Sequence, residues 1–269
     1  MSTIDSATGV VVITGAAGGI GAAIAAELAD HARIVSLWDR DPRVHEVARE
    51  LEVRTAGSVS VHAIEVDVSN HQEVGSGFDR LAAEHGPADI VVHAAGVVSS
   101  ATALDVTPEE WERCVAINAG GAMYVAQRAA RDMVAAGRGS IVVVSSNAAS
   151  TPRVGMAAYC AAKAAATAYT RALALQVAPH GVRVNLVSPG STDTTMLRGM
   201  FNEGDQALDE AAHTGLLDGD PQAYRLGIPL RRIATPADIA AAVRFLVSDD
   251  ARHITMHDLR VDGGATLDM

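Results

Sequence analysis

Tyr159 and Lys163 lie four residues apart in the stretch "AAYCAAKAAATAYT" (157–170). On a helix that spacing stacks both side chains on one face, one turn apart. An ammonium beside a phenol favours the tyrosinate, so the pair predicts a phenol drawn down from its ordinary pKa of about 10 toward that of a usable general base. Lys163 is also the single lysine among 21 Lys and Arg residues. Where any cation would serve, this chain uses arginine. A retained lysine points to chemistry that needs a compact, rotatable donor of three hydrogen bonds, which the planar arginine fork cannot supply. Upstream, Ser146 ends the run "SIVVVSS" (140–146), while strand alternation sends its neighbour Ser145 to the opposite side. Asn118 in "AINAGG" is a polar residue within a helical pattern, satisfied there by backbone or held for a functional purpose.

These residues need a frame, and the chain supplies a regular one. Short β-branched runs at 10–14, 33–39, 58–66, 89–95, 140–146, 182–188 and 258–261 alternate with Ala-rich helical patterns. Such alternation predicts βαβ units, parallel pairing and right-handed crossovers, hence an α/β, Rossmann-type doubly wound sheet of seven parallel strands with helices on both faces. "TPEEW" at 107 and "TPADI" at 235 each place Thr at the N-cap, Pro at the first helical position and acids in the first turn. In an open sheet of this kind ligands bind beyond the carboxyl ends of the strands, which is where Ser146 falls.

The first strand runs through "TGAAGGIG" (14–21) into a helix, so Gly15, Gly19, Ile20 and Gly21 form a tight turn that lets backbone approach a pyrophosphate at a helix N-terminus. Asp39 ends the second strand, where a carboxylate accepts from both adenosine-ribose hydroxyls and repels a 2′-phosphate, favouring NAD over NADP. Its neighbour Arg40 pulls the other way.

The Gly-x-x-x-Gly-x-Gly spacing resembles the short-chain dehydrogenase/reductase family, and the resemblance runs along essentially the whole chain. It implies that Asp67 and Val68 contact the adenine, and that "HAAG" (93–96) supplies a backbone cradle through Ala94, Ala95 and Gly96, with His93 where the family has Asn. It also implies that Pro189, Gly190, Thr192 and Thr194 of "SPGSTDTT" close on the nicotinamide, with the two threonines at the carboxamide. Ser146, thirteen residues before Tyr159, matches the separation of the family's catalytic serine. Carried onto these positions, Tyr159 is the base, Ser146 holds the substrate oxygen, Lys163 tunes Tyr159 and orients the ribose, and Asn118 holds a water for the proton relay. The resemblance further implies a homo-oligomer, commonly a tetramer.

A narrower resemblance lies in "TPRVGMAAY" (151–159), "VSPGSTDTTM" (187–196) and 226–267, which are similar to the 2,3-dihydro-2,3-dihydroxybenzoate dehydrogenases of siderophore biosynthesis. It implies NAD-dependent oxidation of a ring alcohol on a carboxylated cyclohexadiene, followed by aromatisation. Oxidation of the 2-amino analogue, dihydro-3-hydroxyanthranilate, and reduction of a 3-oxoacyl thioester are alternatives within enzymes. A non-catalytic nucleotide-binding regulator is the alternative outside them, and it would be expected to lack Ser146, Tyr159 or Lys163. For the substrate side the candidates are Ser146, Arg153, Met156, Tyr159, Met196 and Arg198. Among cations for a carboxylate, Arg153 is tethered between Ser146 and Tyr159, whereas Arg198 and Arg225 belong to the irregular stretch 190–234, read as a substrate-binding loop or lid.

Composition bounds the remaining classes. A chain of 269 residues can bury a core as one domain spanning 1–269, and with 49% hydrophobic but only 3% aromatic residues that core must be aliphatic. A net charge of -11 with scattered arginines argues against a nucleic-acid partner. Cys114 and Cys160 lack a metal-ligand spacing, so no metal site is expected. No basic, apolar leader is legible in "MSTIDSATG" and no apolar run reaches membrane-spanning length, so no membrane partner and a cytoplasmic setting are expected.

Overall fold

The computed structural model describes residues 9–202 and 206–267, so most of the N-terminal stretch read for a leader lies outside it. In chain order the elements are β1 (Val10–Thr14), α1 (Gly19–Ala29), β2 (Ile34–Asp39), α2 (Val44–Arg54), β3 (Ser60–Glu65), α3 (His71–His85) and β4 (Ile90–His93). The second half continues with α4 (Pro108–Cys114), α5 (Gly121–Ala136), β5 (Gly139–Val144), α6 (Ala157–Val177), β6 (Val182–Pro189), α7 (Thr195–Arg198) and α8 (Glu210–Asp218). A two-residue ribbon, β7 (Gly219–Asp220) with β8 (Arg225–Leu226), then α9 (Pro236–Val247) and β9 (Asp258–Val261) complete it. Seven strands pair in parallel in the order β3-β2-β1-β4-β5-β6-β9. The order reverses between β1 and β4, which opens a crevice at their carboxyl ends.

Strand alternation sorts the aliphatic residues into two cores. Val10 and Val12 of β1 face Val74 and Phe78 of α3, Val125 of α5 and Leu173 of α6. Val11 and Ile13 face Ile24 of α1, Val44 of α2 and Ile239 of α9. Both helix starts read from Thr-Pro pairs are capping boxes: Thr107 and Glu110 for α4, Thr235 and Asp238 for α9. Each satisfies amides that the first turn leaves orphaned. The free thiols follow the helices, Cys114 buried and Cys160 half-buried.

The stretch 190–234 differs from the expected loop. It carries α7, α8 and the β7–β8 ribbon, with Thr194 accepting from the Leu197 amide and Asp209 from the Ala212 amide at the two helix starts. Short capped helices with little apolar periodicity escape pattern reading; α8 buries only Leu216. Between α4 and α5 the backbone widens into a π-helical turn over Val115–Gly120, which contains Asn118. Among the described residues no helix is long and apolar enough to cross a membrane.

Candidate active site

Two clefts open at the carboxyl ends of the strands and meet at Ile20, Ala94, Gly96, Thr194 and Met196. The first, of about 830 Å³, is lined by the β1–α1 turn, Asp39, Arg40, Asp67, Val68 and Ala95. Gly15 has φ +71°, and a Cβ on it would stand 2.5 Å from the Ala95 amide nitrogen; a Cβ on Gly21 would meet the Gly15 carbonyl at 2.1 Å. A turn this close to its neighbours leaves the α1 N-terminus free to face a phosphate. Asp39 accepts from the amides of Ala17 and Asp41, both at 3.0 Å, which fixes its carboxylate at the cleft edge. Hydrogen bonds from the Ser69 hydroxyl and amide hold the Asp67 carboxyl below the usual carboxylate range. The groove thus combines a backbone cradle, a positive helix end and a carboxylate at its edge, features that suit a dinucleotide.

The second cleft, of about 1110 Å³, holds the candidate chemical residues Ser146, Tyr159 and Lys163 with Pro189, Gly190 and Thr192 beside them. Ser146 leaves β5 in extended backbone (φ −167°) and caps the short helix Asn147–Ala149. Ser146 lies close enough to Tyr159 to lower its phenol, while Ser145, sent to the opposite face, bonds Thr167 at 2.7 Å. Tyr159 and Lys163 occupy the first two turns of α6, both buried. Met156 precedes them as the α6 N-cap with φ +70°, a left-handed conformation costly for a side chain with a Cβ.

The expected electrostatics reverse. Burial pushes the Tyr159 phenol up to about 12, with Ser146 the one opposing influence. Lys163 Nζ sits 5.8 Å from the Tyr159 ring centroid and donates to the Val144 carbonyl at 2.9 Å, and burial pulls its ammonium down to about 8. Desolvation sets the direction of both, a cost the helical spacing does not encode. With these values the ammonium gives up its proton before the phenol does, the reverse of the order the spacing predicts.

Other positions divide. The Asn118 side chain bonds backbone on both its ends: Oδ1 accepts from the Val97 amide (3.2 Å), and Nδ2 donates to the carbonyls of Val97 (2.9 Å) and Cys114 (3.1 Å). It pins the turn after Gly96, leaving its side chain no free donor for a relay water. Met196 lines both clefts, and Arg153 and Met156 line the second. Arg198 is not among the lining residues; its guanidinium donates to the Asp193 carboxylate at 2.8 and 3.2 Å. Arg225 takes its place in the cleft wall, with Nη2 donating to Ser191 Oγ at 3.0 Å. Only its cationic type marked it in the sequence. His93 is buried and neutral, pushed down to about 3 by burial and by the nearby Lys163. Its Nδ1 meets Thr14 Oγ1 at 2.9 Å, and Nε2 has no partner among the described residues.

A helix end open to a cleft, joined to a buried hydroxyl, phenol and ammonium, suits a nicotinamide-dependent oxidoreductase. Comparison with known proteins narrows the class. A family model described as "Enoyl-(Acyl carrier protein) reductase" matches residues 15–266. The chain is 40% identical over 256 residues to the 2,3-dihydro-2,3-dihydroxybenzoate dehydrogenase of Bacillus subtilis (strain 168), covering 95% of each. It is 37% identical over 255 residues to the enzyme of that name in Escherichia coli (strain K12), covering 95% of this chain and 96% of that one. Among solved structures, an actinorhodin polyketide ketoreductase with NADPH superposes at TM-score 0.85 with 28% identity, covering 98% and 99% of the two chains. The chain belongs to the short-chain dehydrogenase/reductase family.

Proposed function

We propose that this enzyme uses NAD to oxidise a ring alcohol on a carboxylated cyclohexadiene, converting 2,3-dihydro-2,3-dihydroxybenzoate to 2,3-dihydroxybenzoate. The observation that carries the reading is the match over 95% of both chains to a dehydrogenase of that name. The cleft itself supports it: Met200, Phe201, Leu216 and Ile228 offer an apolar bed for a ring, while Arg153 and Arg225 offer cations for an acid.

In this reading Tyr159 as phenolate removes the substrate hydroxyl proton, and Ser146 donates to the same oxygen as it becomes a carbonyl. Lys163 supplies the charge that holds the phenolate, and Asn118 fixes the 96–98 turn against which the reactants lie. Gly15, Gly19, Ile20 and Gly21 hold the pyrophosphate, Asp39 the adenosine ribose, Asp67 and Val68 the adenine, and Thr192 and Thr194 the carboxamide. Asp39 favours NAD through its charge, against Arg40 beside it. Tautomerisation of the ring ketone to a catechol draws the reaction forward.

The test is a panel of cyclic alcohols with purified protein and NAD, followed at the absorbance of the reduced nicotinamide. Carboxylated cyclohexadienediols are expected to turn over fastest. A protein that oxidises neutral cyclic alcohols as well as the acids, or that reduces 3-oxoacyl thioesters faster, would reject the reading.

A further inference from the structure

We propose that Arg153 and Arg225 act together as a split clamp for one carboxylate of the bound ring, with Arg225 a specificity-determining residue supplied by the 190–234 segment. This rests on the ring-acid reading above. The two residues reach the same cleft from separate parts of the chain: Arg153 from the turn between Ser146 and α6, Arg225 from the β7–β8 ribbon. Both are half-buried. Among the described residues neither guanidinium has a carboxylate within ion-pair distance, whereas Arg198, Arg231 and Arg232 of the same segment pair with Asp193, Asp218 and Asp238. The segment thus neutralises its other arginines locally and leaves the cleft-facing one for something else.

The acids nearest the pair are already committed. Asp262, which lies near Arg153, accepts from Asn147 Nδ2, the Thr266 hydroxyl and the Gly264 amide. Asp220, near Arg225, accepts from the amides of Gln222 and Ala223. Two guanidinium groups that face one largely apolar cleft repel one another, and burial together with Arg153 lowers the pKa of Arg225. A planar carboxylate placed between them removes that repulsion and accepts from both forks. Ser191 Oγ holds one end of the Arg225 fork, so the clamp is oriented before its ligand arrives. Met156, Leu226 and Ile228, which also line the cleft, carry no donor for an anion, so the arginines supply the charge that distinguishes an acid from its neutral isostere.

Calorimetric titration of the full chain, in the presence of NAD, with benzoate and with benzamide tests this. The two probes share ring and shape and differ in charge, so the affinity ratio reports the clamp even when a variant is partly unfolded. Wild type is expected to prefer benzoate. Arg153→Met and Arg225→Met are each expected to lower that preference about ten- to hundredfold, the range of one charged hydrogen-bonded pair. Arg225→Lys, which keeps the charge and loses the fork, is expected to retain part of it. A wild type without preference for benzoate, or an Arg225→Met variant with the wild-type ratio, overturns the proposal. If cyclohexadiene acids turn over while the ratio is unmoved in Arg225→Met, the clamp falls and the functional reading stands. If the ratio falls as expected while no cyclohexadiene acid is oxidised, the clamp stands for another carboxylate and only the substrate reading fails.

Discussion

The two clefts at the top of the sheet are built on different principles. The nucleotide cleft is made of backbone: the β1–α1 turn, the 94–96 strand exit and the start of α1 present amides and empty space, and its few side chains are pinned by neighbouring amides, as Asp39 is by Ala17 and Asp41. The substrate cleft is made of side chains drawn from α6, the 151–156 turn, the 190–234 segment and the approach to the C-terminus. Its charges are held in tension: a phenol pushed up, an ammonium pulled down, and two guanidinium groups facing one space. A backbone cradle serves any dinucleotide, whereas a strained set of charges is specific to the reaction run against it.

The largest expected effect lies at the chemical end. Tyr159→Phe should bind dinucleotide normally, because the cradle is backbone, and lose about 10²- to 10⁴-fold in turnover, the usual contribution of a positioned acid-base group. Lys163→Arg sharpens the same point through pH. In wild type the Lys163 ammonium titrates at about 8, so the charge beside Tyr159 changes through that region and the rate of alcohol oxidation should inflect there. Arginine does not titrate there, so the variant should lose that inflection along with a loss of rate at neutrality. Unchanged pH–rate profiles would show that the pair does not act as a unit.

At the nucleotide end one side chain departs from the backbone rule. Asp39→Ala should leave NAD binding weaker and shift the NADP-to-NAD preference about tenfold, as repulsion of a 2′-phosphate is removed. Measured dissociation constants for both cofactors check this. If wild type prefers NADP, Arg40 governs the pocket and side chains set the character of both clefts.

The effect at His93 is one of stability, and shows only at acid pH. His93 is buried neutral, with its folded pKa near 3 against 6.5 unfolded. Between those values the unfolded chain binds the extra proton, so this contribution is whole above pH 6.5 and is lost as pH falls toward 3. His93→Asn should remove that loss, about a few kcal/mol by pH 4, and urea unfolding of both proteins at pH 7 and pH 4.5 measures it. Equal acid sensitivity would place the titration elsewhere.

Much of the nucleotide cleft was legible because its information is local. "TGAAGGIG" specifies a turn whether or not the rest of the chain is known, and seven β-branched runs specify seven strands because period and length carry the signal. The Tyr159–Lys163 face follows from helical geometry alone. The sequence determined those features by itself: which segments are strands and helices, where the glycines let backbone approach, and which reactive side chains share a helix face.

The tertiary structure alone decided what those side chains experience. Spacing predicted a lowered Tyr159 phenol, yet burial by residues from other elements raises it, and Lys163 turns to the Val144 carbonyl nineteen positions away. Asn118 is held by Val97 across the π turn, a geometry no helical pattern announces. Arg198 and Arg225 are alike in sequence and in segment; a local Asp193 occupies one, and the fold delivers the other to a cleft with Arg153. Period and steric freedom are properties of neighbours along the chain. Desolvation and charge pairing depend on neighbours in space, which exist only once the chain has folded.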